Sequence, residues 1–217
     1  MEDIYHTLVK ESTFYLKEKG SKFYGYAFPI ESIEDFETRL DHIRKEHHKA
    51  SHHCFAYKLG DQNLLYRSSD DGEPSGTAGL PILGQIDSFG LTDIAIIVVR
   101  YFGGTKLGAS GLIKTYRLTA KETLNQSDIV QKIRYQSYLF KFEYLHLNKV
   151  MSYIKEKQIE IIQHIMTNEA QITVAIPQSQ ANQIIIELKA HLVNDFIENI
   201  EYDSEVNGFK IEQINKY

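Results

Sequence analysis

Three carboxylates, four hydroxyls and three glycines lie within the twelve residues from Ser68 to Gly79, which we call the acidic loop. Clustered carboxylates can bind a divalent cation, act as general acid and base, or hold a basic partner. The alternative is a purely structural turn, because Asp-Gly and Glu-Pro are ordinary turn dipeptides and Ser or Thr often caps a helix. The carboxylate spacing lacks the regular alternation and terminal glutamate of an EF-hand loop, so we expect no metal site. The motif residues of this loop are Asp70, Asp71, Gly72, Glu73, Gly76 and Thr77.

A second loop, Arg100–Gly111, follows an apolar run and contains four glycines; we call it the glycine loop. Glycine-rich turns between a buried strand and a helix present backbone N–H groups to anions. The loop has neither the spacing of a Walker phosphate loop nor that of the dinucleotide fingerprint. A nucleotide-hydrolysing site is therefore disfavoured, and an anion-binding turn is predicted at Gly103, Gly104 and Gly108.

Basic residues dominate the segment from Arg100 to Lys121, which contains no acidic residue. Lys114, Arg117 and Lys121 recur at intervals of three and four, which places them on one helix face; we call them the basic stripe. Such a stripe beside a glycine turn suits a phosphate backbone. The alternative is a solvated helix face whose lysines lie along apolar surface. The residues expected to contact RNA or a partner are Arg100, Gly103, Gly104, Lys106, Gly108, Lys114, Arg117 and Lys121.

Histidines and the single cysteine cluster around a predicted strand, at His47, His48, His52, His53 and Cys54. In a strand, His52 and Cys54 share one face and His53 points to the other. Two ligands on a face are too few for zinc, which normally needs at least three. We therefore expect packed strand positions rather than a metal centre or a Cys-His nucleophile.

The composition is that of an ordinary globular protein, with 42% hydrophobic and 24% charged residues among 217. No stretch approaches the roughly 18 apolar residues of a membrane helix, and the first residues lack a signal-peptide pattern. The single cysteine excludes an internal disulfide and fits a reducing compartment, so we expect a cytoplasmic protein with no cofactor and no membrane partner. The net charge of -5 argues against global nucleic-acid affinity but allows a local basic patch.

Apolar periodicity and turn residues predict the elements that position the two loops. Ser32 is the predicted cap of the first helix, and the nearly all-apolar run before Arg100 predicts a strand buried on both faces. The predicted elements of the first half are a hairpin over 14–30, a helix over 33–46, a hairpin over 53–67, a short helix over 80–86, a strand over 92–99 and a helix over 110–125.

The second half predicts the order βαββαβ, which is the ferredoxin-like unit. Its predicted elements are strand 135–144, helix 147–157, strand 159–166, strand 171–176, helix 179–192 and strand 197–206. The whole chain is therefore predicted to be α+β with two domains, 1–128 and 135–206, a linker near 126–134 and a tail over 207–217.

Three segments, Lys49–Tyr57, Asp70–Gly79 and Val98–Gly108, resemble in this order the motifs of the IMPACT family, in its bacterial YigZ branch. His52 and Cys54 lie in the first of these motifs. The resemblance implies an N-terminal domain like the second domain of ribosomal protein S5 and a C-terminal domain like the last domain of elongation factor G. Both of those relatives touch RNA or the ribosome, and eukaryotic members of the family are implicated in translational control under amino-acid starvation.

Three hypotheses about function follow from these residues. The first is a non-enzymatic, translation-associated regulator that binds RNA, the ribosome or a translation factor through the segment Arg100–Lys121. The second is a metal-assisted hydrolase or transferase that acts on a phosphate-bearing substrate with Asp70, Asp71 and Glu73. In the third, the acidic loop and the glycine loop pair with each other and form a structural interface.

Overall fold

The structure, a computed structural model, describes residues 3–60 and 65–214. These residues divide into two compact units, Tyr5–Lys132 and residues 3–4 together with 133–214. The predicted α+β class is confirmed, because helices pack on sheets whose neighbouring strands are antiparallel. No helix within the described residues is long and apolar enough to cross a membrane.

The first unit is built around a five-stranded antiparallel sheet with helices on both faces. The elements in chain order are β1 (Ile4–Leu8), β2 (Ser12–Glu18), β3 (Ser21–Pro29), α1 (Ile33–Glu46), β4 (His52–Leu59), β5 (Leu65–Ser69), α2 (Gly79–Ser88), β6 (Ile94–Tyr101), α3 (Gly108–Asn125) and β7 (Ile129–Ile133). The sheet order is β2-β3-β6-β4-β5, so the apolar strand β6, which the sequence predicts to be buried on both faces, lies at its centre. Every residue from Ile94 to Arg100 is buried.

Two apolar clusters, one on each face of this sheet, hold the helices in place. On one face, Ile82 of α2 and Tyr116 and Ala120 of α3 pack against the side chains of Ala56 and Val98. On the other face, the buried side of α1 packs on aromatic residues, and the Phe36 ring lies 4.9 Å from the Phe55 ring. Burial of both faces explains why β6 is apolar without alternation.

Helix α1 begins where the sequence predicts. The Ser32 side chain accepts the Asp35 backbone N–H at 3.1 Å, which satisfies one of the free donors of the first turn. The predicted partner of β4 is also present, although residues 61–64 of that hairpin lie outside the described residues.

Strands β1 and β7 form a small two-stranded sheet that the sequence analysis missed. The predicted linker near 126–134 therefore contains β7 instead of being irregular throughout. Both strands have five residues; β1 is buried only at its end, at Thr7 and Leu8, and β7 is largely exposed, so neither shows the alternation of a half-buried strand. Their pairing depends on contacts between residues more than a hundred positions apart in the chain.

The second unit is a four-stranded antiparallel sheet with two helices. Its elements are β8 (Tyr135–Phe142), α4 (Leu147–Glu156), β9 (Glu160–Met166), β10 (Ala170–Pro177), α5 (Ala181–Val193) and β11 (Phe209–Ile214). The sheet order β11-β8-β10-β9 and the element order βαββαβ confirm the predicted ferredoxin-like fold.

The last strand of this unit lies at Phe209–Ile214, and the prediction of a strand over 197–206 and a tail over 207–217 was wrong. Residues 197–206 contain four acidic residues and form a short 3-10 helix, Ile197–Asn199, and an isolated bridge from Val206 to Phe209, but no strand. In β11, by contrast, Phe209 and Ile211 alternate with Lys210 and Glu212. The apolar pair faces Phe142 and Phe140 of β8 in register, which places the strand on the core.

Replacement of Phe209 by Ala should test this assignment. The Phe209 side chain is 5% exposed, and loss of a buried phenylalanine costs about 3–5 kcal/mol of unfolding free energy. Ile197→Ala, at a position that is 51% exposed, should change the unfolding free energy by less than about 0.5 kcal/mol. Urea denaturation of the full chain measures both; a larger loss for Ile197→Ala would contradict the position of β11.

Candidate functional site

Asp70 of the acidic loop caps helix α2 from a distance. Its Oδ1 accepts the N–H groups of Ala78 and Gly79 at 2.9 and 2.8 Å, and its Oδ2 accepts the Gly76 N–H at 2.8 Å. The cap residue of α2 is Ala78, whose side chain cannot accept a hydrogen bond, so Asp70 supplies the missing acceptor. Burial disfavours the ionised form of Asp70, but the hydrogen bonds from the three N–H groups favour that form more strongly. They therefore hold the Asp70 pKa below its ordinary value. Thr77 closes the same turn by donating its hydroxyl to the Pro74 carbonyl at 2.6 Å.

Asp71 holds the acidic loop against the start of β4. Its Oδ2 accepts the His53 backbone N–H at 2.6 Å, and its Oδ1 lies 3.8 Å from the Arg44 guanidinium. The Asp71 carbonyl accepts a hydrogen bond from His52 Nδ1 at 2.8 Å. Asp71 and Gly72 both have positive φ, 42° and 87°, which turns the chain back and leaves Gly72 in the left-handed region where glycine is favoured.

Glu73 is the third carboxylate of the loop, and it forms a buried ion pair with Arg100. The Arg100 Nη1 donates to Glu73 Oε1 at 2.6 Å, with both side chains 5% exposed or less. The Tyr116 hydroxyl of α3 donates to the same oxygen at 2.8 Å, and His52 Nε2 lies 3.9 Å from it. Arg100 Nη2 also donates to Ser21 Oγ at 3.3 Å. The pair therefore joins the acidic loop, the end of β6, helix α3 and the β2–β3 turn.

The Arg100 guanidinium is further enclosed by aromatic rings. It lies 5.4 Å from the centroid of Phe23 and 5.5 Å from that of Phe102, within the range of cation–π contacts. Arg100 as a whole is 4% exposed. The prediction that Arg100 contacts RNA phosphate was therefore wrong, because its charge is neutralised inside the protein.

Cys54 lies on the same buried face, beside this network. Its Sγ is 3.0 Å from the Asp70 carbonyl and 3.3 Å from the Tyr116 hydroxyl. Burial raises the Cys54 pKa well above that of a free thiol, so the thiolate needed for nucleophilic attack is disfavoured. Burial likewise raises the Tyr116 pKa, and its hydroxyl stays protonated as a donor.

The three carboxylates of the acidic loop thus have their hydrogen-bond partners within the protein. Asp70 is held by backbone N–H groups, Asp71 by the His53 N–H, and Glu73 by Arg100 and Tyr116. Within residues 3–60 and 65–214, no three His, Cys, Asp or Glu side chains are grouped so that they could hold a metal ion. This geometry matches the pairing of the two loops, the third of the hypotheses drawn from the sequence.

Gly103 of the glycine loop is required by a close approach of two backbones. A Cβ at this position would lie 1.9 Å from the carbonyl carbon of Gly20 in the β2–β3 turn. The Gly103 N–H donates to Ser21 Oγ at 3.1 Å, so this donor is already occupied. Gly104 and Gly108 instead have φ of +86° and +73°, the left-handed geometry that favours glycine.

The basic stripe is exposed, in contrast to Arg100. Lys106 in the glycine loop and Lys114, Arg117 and Lys121 on α3 all face solvent, and none has an ion-pair partner within the described residues. Helix α3 begins at Gly108 with no acidic residue in its first turn and no side-chain cap from Leu107. Its first N–H groups are therefore not satisfied by the cap residue.

Two polar members of the buried network, the Tyr116 hydroxyl and Ser21, were not predicted from the sequence. Tyr116 lies three residues after Ile113 and four before Ala120, a spacing typical of the core-facing side of a helix, and its ring is fully buried. Nothing in that spacing indicates which partner the hydroxyl contacts. A buried tyrosine hydroxyl normally finds a hydrogen-bond partner, and this is the one signal that could have marked it.

Glu73→Ala should destabilise the protein strongly. It leaves Arg100 buried without its partner, and removal of one member of a buried pair costs about 3–5 kcal/mol. The double variant Glu73→Leu, Arg100→Met should recover part of this loss, because no buried charge is left unpaired. Urea denaturation of both variants measures the effect; a single variant that unfolds like the wild type would show that the pair does not hold the loops.

The stability supplied by Asp70 should depend on pH. Because its pKa is lower in the folded than in the unfolded protein, the contribution is complete above the unfolded value of about 3.9 and is lost as pH falls through the folded pKa. Asp70→Asn should cost about 0.5–2 kcal/mol at pH 7, as loss of a cap does, and the gap to wild type should narrow on acidification. Asp41→Asn, a change at an exposed carboxylate, is the control. A gap that widens below pH 4 in urea denaturation would contradict the capping role.

Comparison with known proteins places this architecture in a family. The profile of the Impact N-terminal domain matches residues 19–124. IMPACT family member YvyE of Bacillus subtilis is 34% identical over 155 residues, covering 68% of this chain and 71% of that protein. IMPACT family member YigZ of Escherichia coli is 31% identical over 172 residues, covering 78% of this chain and 84% of that protein.

Similarity to a solved structure extends over the whole length. A crystal structure described as that of a hypothetical protein aligns over 100% of both chains with a TM-score of 0.67 and 26% identity. The matched profile spans both loops and the basic stripe. The resemblance read from the three motifs is confirmed, and this chain belongs to the IMPACT family.

Proposed function

We propose that this chain is a non-enzymatic, translation-associated protein that binds RNA phosphates through Lys106 and the basic stripe. The observation that carries the proposal is the exposure of these four cations without ion-pair partners among the described residues. Arg100, which the sequence groups with them, serves instead as an internal support.

The geometry of α3 suits a run of phosphates. Lys114 and Lys121 are seven residues apart, which corresponds to about 10 Å along a helix. Lysine and arginine side chains spaced in this way can contact successive phosphates of one strand and release their counterions. No carboxylate occurs from Arg100 to Lys121 to compete with an anion.

The glycine loop supports the same proposal through its shape. Gly104 and Gly108 allow the left-handed turns that bring the chain from β6 into α3. The first turn of α3 then presents backbone N–H groups beside Lys106, an arrangement that favours phosphate.

We infer that the proposed RNA binding serves translation. The family resemblance implies domains that touch RNA or the ribosome, so the expected partners are RNA, the ribosome or a translation-related protein in the cytoplasm. The alternative, a metal-assisted hydrolase or transferase, would need free carboxylates, whereas Asp70, Asp71 and Glu73 are engaged in hydrogen bonds and ion pairs. The geometry therefore favours binding over catalysis.

Replacement of Lys114, Arg117 and Lys121 by Ala should weaken RNA binding and reduce its salt dependence. Each phosphate contact to a single strand contributes about -0.7 to the slope of log affinity against log salt, so the slope should become shallower by about 2. Fluorescence anisotropy with a labelled single-stranded RNA, over a series of salt concentrations, measures both quantities.

The control carries the same change in net charge at three exposed lysines elsewhere, Lys45, Lys155 and Lys210. This control should keep most of the wild-type slope. Equal losses in both triple variants would mean that general charge, and not the basic stripe, attracts RNA. Wild-type protein without RNA affinity at low salt would contradict the RNA proposal.

A further inference from the structure

A row of aromatic and basic side chains lies on the sheet face that carries α1. In the β2–β3 pairing, Tyr15 lies opposite Tyr24 and Lys17 lies opposite Lys22. Across the β3–β6 pairing, Lys22 lies opposite Tyr101. Directly opposite residues of antiparallel strands share a face, and residues two apart along a strand are separated by about 6.6 Å. Three tyrosines and two lysines thus form one surface, which we call the tyrosine face.

Helix α1 leaves the tyrosine face largely open. The buried residues of α1, Phe36, Leu40 and Ile43, pack in the cluster formed by the aromatic residues farther along the sheet. Tyr15 is 48% exposed, and Lys17 and Lys22 face solvent.

His47, which follows the last residue of α1, fixes the rings of this surface. Its Nε2 lies 2.6 Å from the Tyr26 hydroxyl and its Nδ1 lies 2.9 Å from the Tyr101 hydroxyl. Its ring is 5.2 Å from that of Tyr24, which in turn lies 5.0 Å from the ring of Tyr15. Hydrogen bonds hold the Tyr26 and Tyr101 rings, and Tyr24 is placed by its contacts with the His47 and Tyr101 rings. Binding to the Tyr24 ring therefore loses little side-chain entropy.

The two lysines of the tyrosine face lie in an electrostatically unfavourable arrangement. Like charges directly opposite in a sheet are destabilising, yet Lys17 and Lys22 face each other and neither has a carboxylate partner within the described residues. Glu18 belongs to the opposite face by strand alternation. An anion between the two ammonium groups would relieve their repulsion.

The end of the tyrosine face that lies away from the two lysines carries a negative charge. A hollow of about 570 Å³ opens there, at the edge of the sheet, lined by residues of the β2–β3 hairpin including Tyr15, Tyr24 and Tyr26, by Glu46 and by Gln126, which follows α3. The Glu46 carboxylate repels phosphate from the hollow, while the aromatic rings favour a flat, uncharged ring system. The surface therefore has a place for phosphate at the lysines and a place for a base at the tyrosines.

We propose that the tyrosine face binds single-stranded nucleic acid, with bases stacked on Tyr15 and Tyr24 and phosphates held by Lys17 and Lys22. The inference rests on the proposed RNA affinity but assigns it a second site, on the sheet face opposite α3. Stacking platforms with nearby cations are how proteins bind single strands without reading sequence, and a duplex cannot offer its base faces in this way. An acidic protein segment would use the lysines but would have no need of the rings.

The test is Tyr15→Ala in the full chain, with Tyr66→Ala as a control, because Tyr66 is an exposed tyrosine on the other edge strand, β5, with 64% exposure against 48% for Tyr15. Binding is measured to a twelve-nucleotide single-stranded RNA containing 2-aminopurine and to the same sequence as a duplex. Loss of one stacked base should weaken single-strand binding by about 5- to 150-fold and leave the salt slope unchanged. Lys17→Ala with Lys22→Ala should instead make the slope shallower by about 1.4.

The outcomes separate this site from the basic stripe. A selective single-strand loss in Tyr15→Ala, with wild-type circular dichroism and no loss in Tyr66→Ala, supports the tyrosine face. Unchanged single-strand affinity in Tyr15→Ala overturns it, even if the stripe variant loses binding and the proposed function stands. If Tyr15→Ala loses single-strand binding while the triple variant of the basic stripe keeps it, the tyrosine face is supported and binding by the basic stripe is refuted. A polyglutamate peptide is also added as a competitor of the RNA for the tyrosine face. Competition that depends on Lys17 and Lys22 but not on Tyr15 would assign the surface to an acidic protein and overturn the inference. The absence of any RNA binding would overturn it as well.

Discussion

The buried contact between Arg100 and Glu73 joins the elements on which both loops depend. Arg100 is the penultimate residue of the central strand, and Glu73 lies in the turn before α2. Removal of two charges from water is costly, and a pair at 2.6 Å offsets that cost only when further hydrogen bonds satisfy the charged atoms. Here the Tyr116 hydroxyl donates to the same carboxylate oxygen and Ser21 accepts from the guanidinium, while Arg100 Nε is buried without a hydrogen-bond partner among the described residues. The pair is therefore stabilised by α3 and by the β2–β3 turn, which supply these two hydrogen bonds.

This dependence separates two sets of charges that look alike in the sequence. The carboxylates of the acidic loop and Arg100 are turned inward, where they fix the backbone of the loops. The basic residues of α3 point outward, because the helix presents its Leu112, Tyr116 and Ala120 side to the sheet and leaves the opposite side to solvent. An internal ion pair thus sets the position of an exposed, uncompensated basic surface.

Local sequence patterns correctly predicted the elements that are determined by neighbouring residues. They failed for elements and side chains whose positions depend on contacts between residues far apart in the chain. Ser32 marks the start of α1 because a cap acts within one turn, and the apolar run of β6 marks a doubly buried strand. The segment 197–206 has isolated apolar residues that mimic a strand, but only the register of Phe209 against Phe142 shows which segment joins the core. Arg100 was misjudged for the same reason: a charge at the end of a strand looks exposed until Glu73, twenty-seven residues earlier, is brought beside it. Gly103 was predicted only as part of an anion-binding turn; the close approach of Gly20, which requires glycine there, is a contact between distant residues that no local pattern indicates.

The tyrosine face also depends on α3, although α3 lies on the other side of the sheet. A Cβ at Gly25 would lie 2.1 Å from Thr123 Oγ1, so α3 sits directly on the backbone of β3 at this point. Because side chains alternate along a strand, Gly25 can meet α3 only if Tyr24 and Tyr26 point to the opposite face. A shift of the β3 register by one residue would bring a tyrosine against Thr123 and turn the neighbouring Phe23 away from Arg100. Close packing of α3 on one face of the sheet thereby specifies which side chains appear on the other.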